Sequence, residues 1–286
     1  MYYIIMSYKE GVNLTLKNYD DSITIEEKHE ACPYYETKCD DLKCFCPKYQ
    51  AYLDVQDQDI VNAELKELNI TATDTFGIMF GIQKHFAARF HNTDNPEKDI
   101  TDHWVKEYCI CIEDEFDELM DYIKLPLTDA TMTNPGEMKK EVIDILHFVL
   151  DAMIAGGFSS KELYKHYNKM YETFYNDDED LFANEFSKYQ ADLNSEVSRA
   201  GSLQSVYLDY AVNLLLVNRD LRQQISWKHW KKPNASINYD KLFDAYAKLL
   251  NAFIKLSASL FDSAHEVKTV YVNKNIENIR RQKNGY

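Results

Sequence analysis

Two short segments carry the residues most able to do chemistry. CIEDEFDELMDYI places Glu115 and Glu118 three apart, and EMKKEVIDILHFVL does the same with Glu141 and Asp144. Residues at i and i+3 share a face of a helix. In the first segment the row Tyr108, Cys111, Glu115, Glu118, Tyr122 follows core spacing, so both acids interrupt a packing stripe. In the second, Glu141 lines up with Met138, Ile145 and Phe148, and Asp144 precedes His147 by one turn. Four carboxylates converging between neighbouring helices repel one another unless protons or cations neutralise them. An all-oxygen donor set with open positions suits Mg²⁺, which keeps waters and takes phosphate oxygens as its remaining ligands. The other acids of the first segment, Glu113, Asp114 and Asp117, are expected on the solvated face.

A second cluster is basic. ISWKHWKK sets Trp227 and Trp230 beside Lys228, Lys231 and Lys232, and the run YVNKNIENIRRQKNGY sets Tyr271, Lys274, Asn278 and Arg281 at helical spacing. Ammonium, guanidinium and amide donors are the groups a polyphosphate needs, although each run alone also reads as a solvated basic face. A third cluster, Cys32, Cys39, Cys44 and Cys46, can close a tetrahedral structural zinc site or remain as reduced thiols. Cys109 and Cys111, beside the acids, are expected to pack.

The elements that must position these groups are helices. Of the 286 residues 45% are apolar, enough for a real core, and eight Gly with six Pro leave few places for hairpin turns or Gly-rich phosphate loops. Apolar positions from Phe76 to Phe90 recur three or four apart, and the pattern continues to the end of the chain. It predicts helices at about 60–68, 73–92, 102–123, 137–156, 159–175, 179–198, 202–225, 239–261 and 263–281, broken by turn chemistry such as HNTDNPEKD and KKPNAS. Ser159 and Glu162 form a capping-box signature. Lys and Arg number 32 against 47 Asp and Glu, a formal charge of −15, which disfavours binding to nucleic acid. No apolar run approaches the roughly 18 residues of a membrane span, the start MYYIIMSYKEG lacks a basic leader, and six cysteines do not make a disulfide scaffold. A cytoplasmic protein, not bound to membrane, is expected.

The stretches IMFGIQKHFAARF, EDEFDEL, KKEVIDILHFVLDAM, WKHWKK and KNIENIRRQKNGY together resemble the all-α, MazG-like nucleoside triphosphate pyrophosphohydrolases, in particular the dimeric dUTPases and the dCTPase-dUTPases of T-even-type bacteriophages. The resemblance covers residues 74–286. It implies a helical bundle that hydrolyses a deoxypyrimidine triphosphate to the monophosphate and pyrophosphate, in the host cytoplasm if phage-encoded. Glu115, Glu118, Glu141 and Asp144 would be the ligands of two or more Mg²⁺ ions, and Glu115 or Glu118 would orient or deprotonate the attacking water. Gln83 matches a glutamine that contacts the pyrimidine edge. His147 would lie beside the metal centre, or else be a core histidine satisfied by a backbone carbonyl. Trp227, Lys228, Trp230, Lys231, Tyr271, Lys274, Asn278 and Arg281 would complete the substrate site.

The Trp-Lys run departs from the family by following the second acid pair instead of lying between the two. Sliding the chain along itself pairs Glu115 with Arg219, Asp144 with Lys248 and Tyr167 with Tyr271, which brings the helices into register. The expected organisation is therefore a Cys-containing segment at 1–60, an acidic metal-binding module at 61–178 and a second helical module at 179–286. Such a chain is either a monomeric pseudo-dimer or a protomer of a homodimer. A competing reading is a catalytically degenerate family member that serves as a nucleotide-binding or protein-interaction module.

Overall fold

The computed structural model describes residues 3–4, 16–17, 62–91, 101–123, 135–176, 178–225 and 236–283. The chain divides into two units, Met1–Ile60 and Val61–Tyr286. Of the first, the described residues form a short antiparallel pairing, Tyr3 with Lys17 and Ile4 with Leu16. The four clustered cysteines and the WKHWKK run lie outside the described residues.

The second unit is all-α. After a helical turn at 62–67 come α1 (Thr75–His91), α2 (Thr101–Tyr122), α3 (Pro135–Ala155), α4 (Ser160–Tyr171), α5 (Leu181–Ala200), α6 (Leu203–Arg222), α7 (Tyr239–Leu260) and α8 (Ala264–Lys283). Two of them are apolar on almost every side, as only helices surrounded by others can be. Along α3, Met138, Val142, Ile145, Leu146, Val149, Leu150 and Met153 are completely buried. Along α7 the same holds for Leu242, Tyr246, Leu249, Leu250, Phe253 and Leu256. These two helices touch; α2 packs along α3, α6 packs along α7, and α2 meets α6 across the bundle. α1 and α8 lie on each other and on α3, while α4 and α5 lie on α7. Among the described residues no single helix is long and apolar enough to cross a membrane.

Side-chain caps set the ends. Ser159 Oγ accepts from the Glu162 amide at the start of α4, but the Glu162 carboxylate turns outward to Lys165 and His166 instead of closing the box. Asp180 caps α5 through the Ala183 amide and also accepts from the Thr75 amide and hydroxyl, at 2.9 and 2.8 Å, so one carboxylate fastens the beginnings of α1 and α5. α4 stops at Tyr171, short of the predicted 175. Glu172 adopts a left-handed conformation there, and the Asn168 amide bonds Thr173 and both backbone groups of Tyr175, which pulls the chain out of the helix.

Between α4, α5 and α7 lies a cluster of tyrosines. Asn251 Oδ1 accepts from Tyr167 and from Tyr189, and the buried Glu185 accepts from Tyr175 at 2.8 Å. Between α4 and α7, His166 presents Nδ1 to Asp244 at 2.7 Å, and Lys169 bridges Asp240 and Asp244.

Candidate metal centre and its buried polar neighbours

The long contact of α2 with α3 brings the two acid motifs together. Carboxylate oxygens of Glu115, Glu141 and Asp144 lie within 4.8 Å of one another, close enough to share a metal ion. Glu118 does not join this group; its side chain is exposed, although its charge still acts on Glu115 and Glu141. Burial, followed by the charges of Asp144, Glu118 and Glu141, pushes Glu115 up to about 7. Burial and the neighbouring acids push Glu141 upward as well. Lys274, reaching in from α8, places Nζ 2.8 Å from Asp144 Oδ2 and works against both shifts. The donor set is all oxygen, crowded and short of positive charge, and it therefore fits a hard divalent cation.

Next to the acids, on the face shared by α1, α3 and α8, a buried polar cluster continues the site. His147 is the residue one turn after Asp144. Its Nδ1 is 2.9 Å from the Ile143 carbonyl, which can only accept, so Nδ1 carries the hydrogen. Burial pushes the ring down to about 4, which keeps it neutral and leaves Nε2 as a bare acceptor with no partner among the described residues. The ring stacks on Tyr271 with centroids 4.6 Å apart. The Tyr271 hydroxyl donates to Gln83 Oε1 at 2.6 Å, and Asn275 Nδ2 donates to the same oxygen at 3.3 Å. Gln83 is completely buried with its amide nitrogen directed at the Asp151 carboxylate, and Asn275 Oδ1 has no partner among the described residues.

Seven residues beyond Asp144, on the same face of α3, stands Asp151. The sequence reading passed over it. It is 8% exposed, and burial pushes it up to about 7 against the opposing hydrogen bond from the Gln83 amide. An acid whose folded value exceeds its unfolded one keeps its proton as the pH rises past 4, while the unfolded chain loses it. Stability therefore declines between about pH 4 and 7 and stays reduced above. Asp151→Asn removes this penalty. Urea denaturation should show the variant gaining on the parent as pH rises from 4 to 8, by up to about 4 kcal/mol. A difference that does not change with pH rules out an uncomfortable buried carboxylate.

The other expected site residues fall in several places. Tyr271 and Lys274 join the centre, as described. Asn278 is partly buried further along α8, and Arg281 pairs with Glu277 one turn back on its own helix. Trp227, Lys228, Trp230 and Lys231 lie outside the described residues. Glu113 corrects the reading of a solvated acid: it is partly buried and receives Arg222 of α6 at 3.0 Å, which ties α2 to α6. Arg222 thus pairs with an acid of the first half, and Asp244 is engaged by His166 and Lys169. Cys109 is buried, with its backbone carbonyl bonded to Asn218 at 2.8 Å, in keeping with a packing role.

No protein-family model, no curated protein and no solved structure matches this chain.

Proposed function

We propose that the chain is a Mg²⁺-dependent hydrolase that converts a deoxypyrimidine triphosphate, dUTP or dCTP, to the monophosphate and pyrophosphate. The observation that carries this reading is the convergence of Glu115, Glu141 and Asp144 within 4.8 Å between α2 and α3, in surroundings that penalise the charge of Glu115 and Glu141. These three side chains, with Glu118 at the exposed rim, would hold the cations. Bound Mg²⁺ would neutralise the phosphate oxygens and acidify a water molecule. Glu115 or Glu118 would take that water's proton as its oxygen adds to the α-phosphorus, and the bond from that phosphorus to the bridging oxygen would break to release pyrophosphate. Lys274, which pairs with Asp144, would bind an oxygen of the departing group. His147 and Gln83 lie beyond the acids, where the base would enter.

The same reading makes the helical unit two copies of one module, α1–α4 and α5–α8. The packing supports it: α2 on α3 matches α6 on α7, α1 on α3 matches α5 on α7, and α8 on α3 matches α4 on α7. Tyr271 against His147 in one half corresponds to Tyr167 against Asn251 in the other. The second half has Arg219 and Lys248 where the first has Glu115 and Asp144, and it fills its centre with tyrosines, so each chain would hold one catalytic centre. Activity would belong to the cytoplasm, in control of the nucleotide pool.

A pyrophosphate-release assay over the deoxynucleoside triphosphates tests the function. Release is expected from dUTP or dCTP in Mg²⁺, with none in excess chelator and recovery on adding Mg²⁺ back. A folded chain that releases pyrophosphate from none of them acts instead as a binding module.

A further inference from the structure

We infer that Asp151 reads the edge of the substrate's base and selects an amino-bearing pyrimidine, cytosine, over its oxo counterpart, uracil; this rests on the function proposed above. The argument begins with buried polar atoms short of partners: His147 Nε2 and Asn275 Oδ1 have none among the described residues, and the Gln83 amide and the Asp151 carboxylate are engaged only with each other on that side of the cluster. Buried polar groups are partnered in more than about nine cases in ten, and leaving one bare is costly. Bare acceptors on α3 and α8, set beside a buried amide–carboxylate pair of α1 and α3, point to a ligand that supplies the missing partners. They are linked through Tyr271, which bonds Gln83 and stacks on His147, and both Tyr271 and Tyr108 feel the charge of Asp151. The cluster adjoins the acids that would hold the triphosphate, because Asp144, His147 and Asp151 follow one another along one face of α3.

The composition of the cluster decides which base it suits. Asn275 Oδ1 and His147 Nε2 can only accept, and so can Asp151 once the pH exceeds its value of about 7; Gln83 Nε2 donates, with one hydrogen committed to Asp151. Cytosine brings two amino hydrogens on N4 together with the acceptors N3 and O2. Uracil brings a single hydrogen, on N3, and turns the O4 carbonyl toward the acceptors that cytosine's amino group would satisfy. A site built to receive N–H groups rejects the analogue that lacks them, because its own buried acceptors are then left bare. Asp151 is the member whose replacement changes this count most cleanly, since asparagine keeps its shape and adds a donor.

The test is calorimetric binding of α,β-imido-dCTP and α,β-imido-dUTP in Mg²⁺ at about pH 8.5, where Asp151 is ionised, to the full chain and to its Asp151→Asn and Asp151→Ser variants. The parent should bind the cytosine analogue at least about 10-fold tighter than the uracil analogue, the scale of one good base-edge contact. Asp151→Asn should reduce that ratio to within about 3-fold or invert it, and Asp151→Ser should reduce it, with binding of inorganic imidodiphosphate unchanged in both. Equal affinities in the parent, or a preference that both variants retain, would overturn the role of Asp151 and leave the proposed hydrolase standing. Binding of neither analogue by the folded parent would overturn both.

Discussion

Glu141→Gln and Asp144→Asn should each lower pyrophosphate release by a factor of about 10²–10³ or more at saturating Mg²⁺, with helix content unchanged. Each substitution deletes an anionic donor from a set of three, and charge stabilisation of this kind is commonly the largest single contribution to rate. The fold should not suffer, because these acids oppose one another in the absence of a cation. Glu141 is buried and already pushed toward its neutral form, and an amide there relieves the repulsion on Glu115. The measurements are steady-state rates and circular dichroism on both variants, with Asp114→Asn, an exposed acid of the neighbouring α2, as a control that should retain activity. Parent-like rates in either variant would end the assignment of these residues as metal ligands.

The largest expected effect on stability lies at Gly156, where α3 ends against α7. A β-carbon at this position would come 2.1 Å from the Tyr246 hydroxyl and 2.8 Å from its ring carbons. Tyr246 cannot retreat: it is completely buried, and its hydroxyl donates to the Ala152 carbonyl. Gly156→Ala should therefore cost about 2–4 kcal/mol in urea denaturation, by forcing two core helices apart or driving the ring off its rotamer. Adding Tyr246→Phe should recover part of the loss, because it removes the nearest atom, so the double variant should be less destabilised than the two single effects combined. A cost below about 1 kcal/mol would mean that the helices yield freely at this crossing.

What the sequence revealed was what lies within a helix turn. Periodic apolar residues gave the helices from α1 to α8 to within a few residues, and the two acid pairs were legible because each interrupts an apolar stripe. The end of α4 was not legible, since it depends on the Asn168 side chain bonding ahead to Tyr175. Contacts across the bundle were hidden for the same reason: nothing local to Glu113 announces Arg222, 109 residues later. Asp151 did leave a signal, an acid within the apolar run FVLDAMIA on the face already carrying Asp144 and His147. It lacked a second acid at i+3, the spacing that drew attention to the others. Glu118, by contrast, shared the favourable spacing yet remains exposed at the rim, because the spacing fixes only an angle around the helix.

The placement of α8 has a consequence for the order in which the molecule acquires its site. Gln83 and Tyr271 are 188 residues apart in the chain, and Asp144 and Lys274 are 130 apart. Closing loops of that size is entropically costly, and contacts so distant tend to form late. The α2–α3 pair, by contrast, joins neighbours in sequence and can gather its acids early. During synthesis a nascent chain would thus carry the crowded carboxylates before the ammonium that balances them and before the tyrosine that orders Gln83 and His147. Docking of the last helix is the step that joins Lys274 and Tyr271 to the acidic helical pair, so protection of α8 amides from hydrogen exchange would mark the moment at which the candidate centre is assembled.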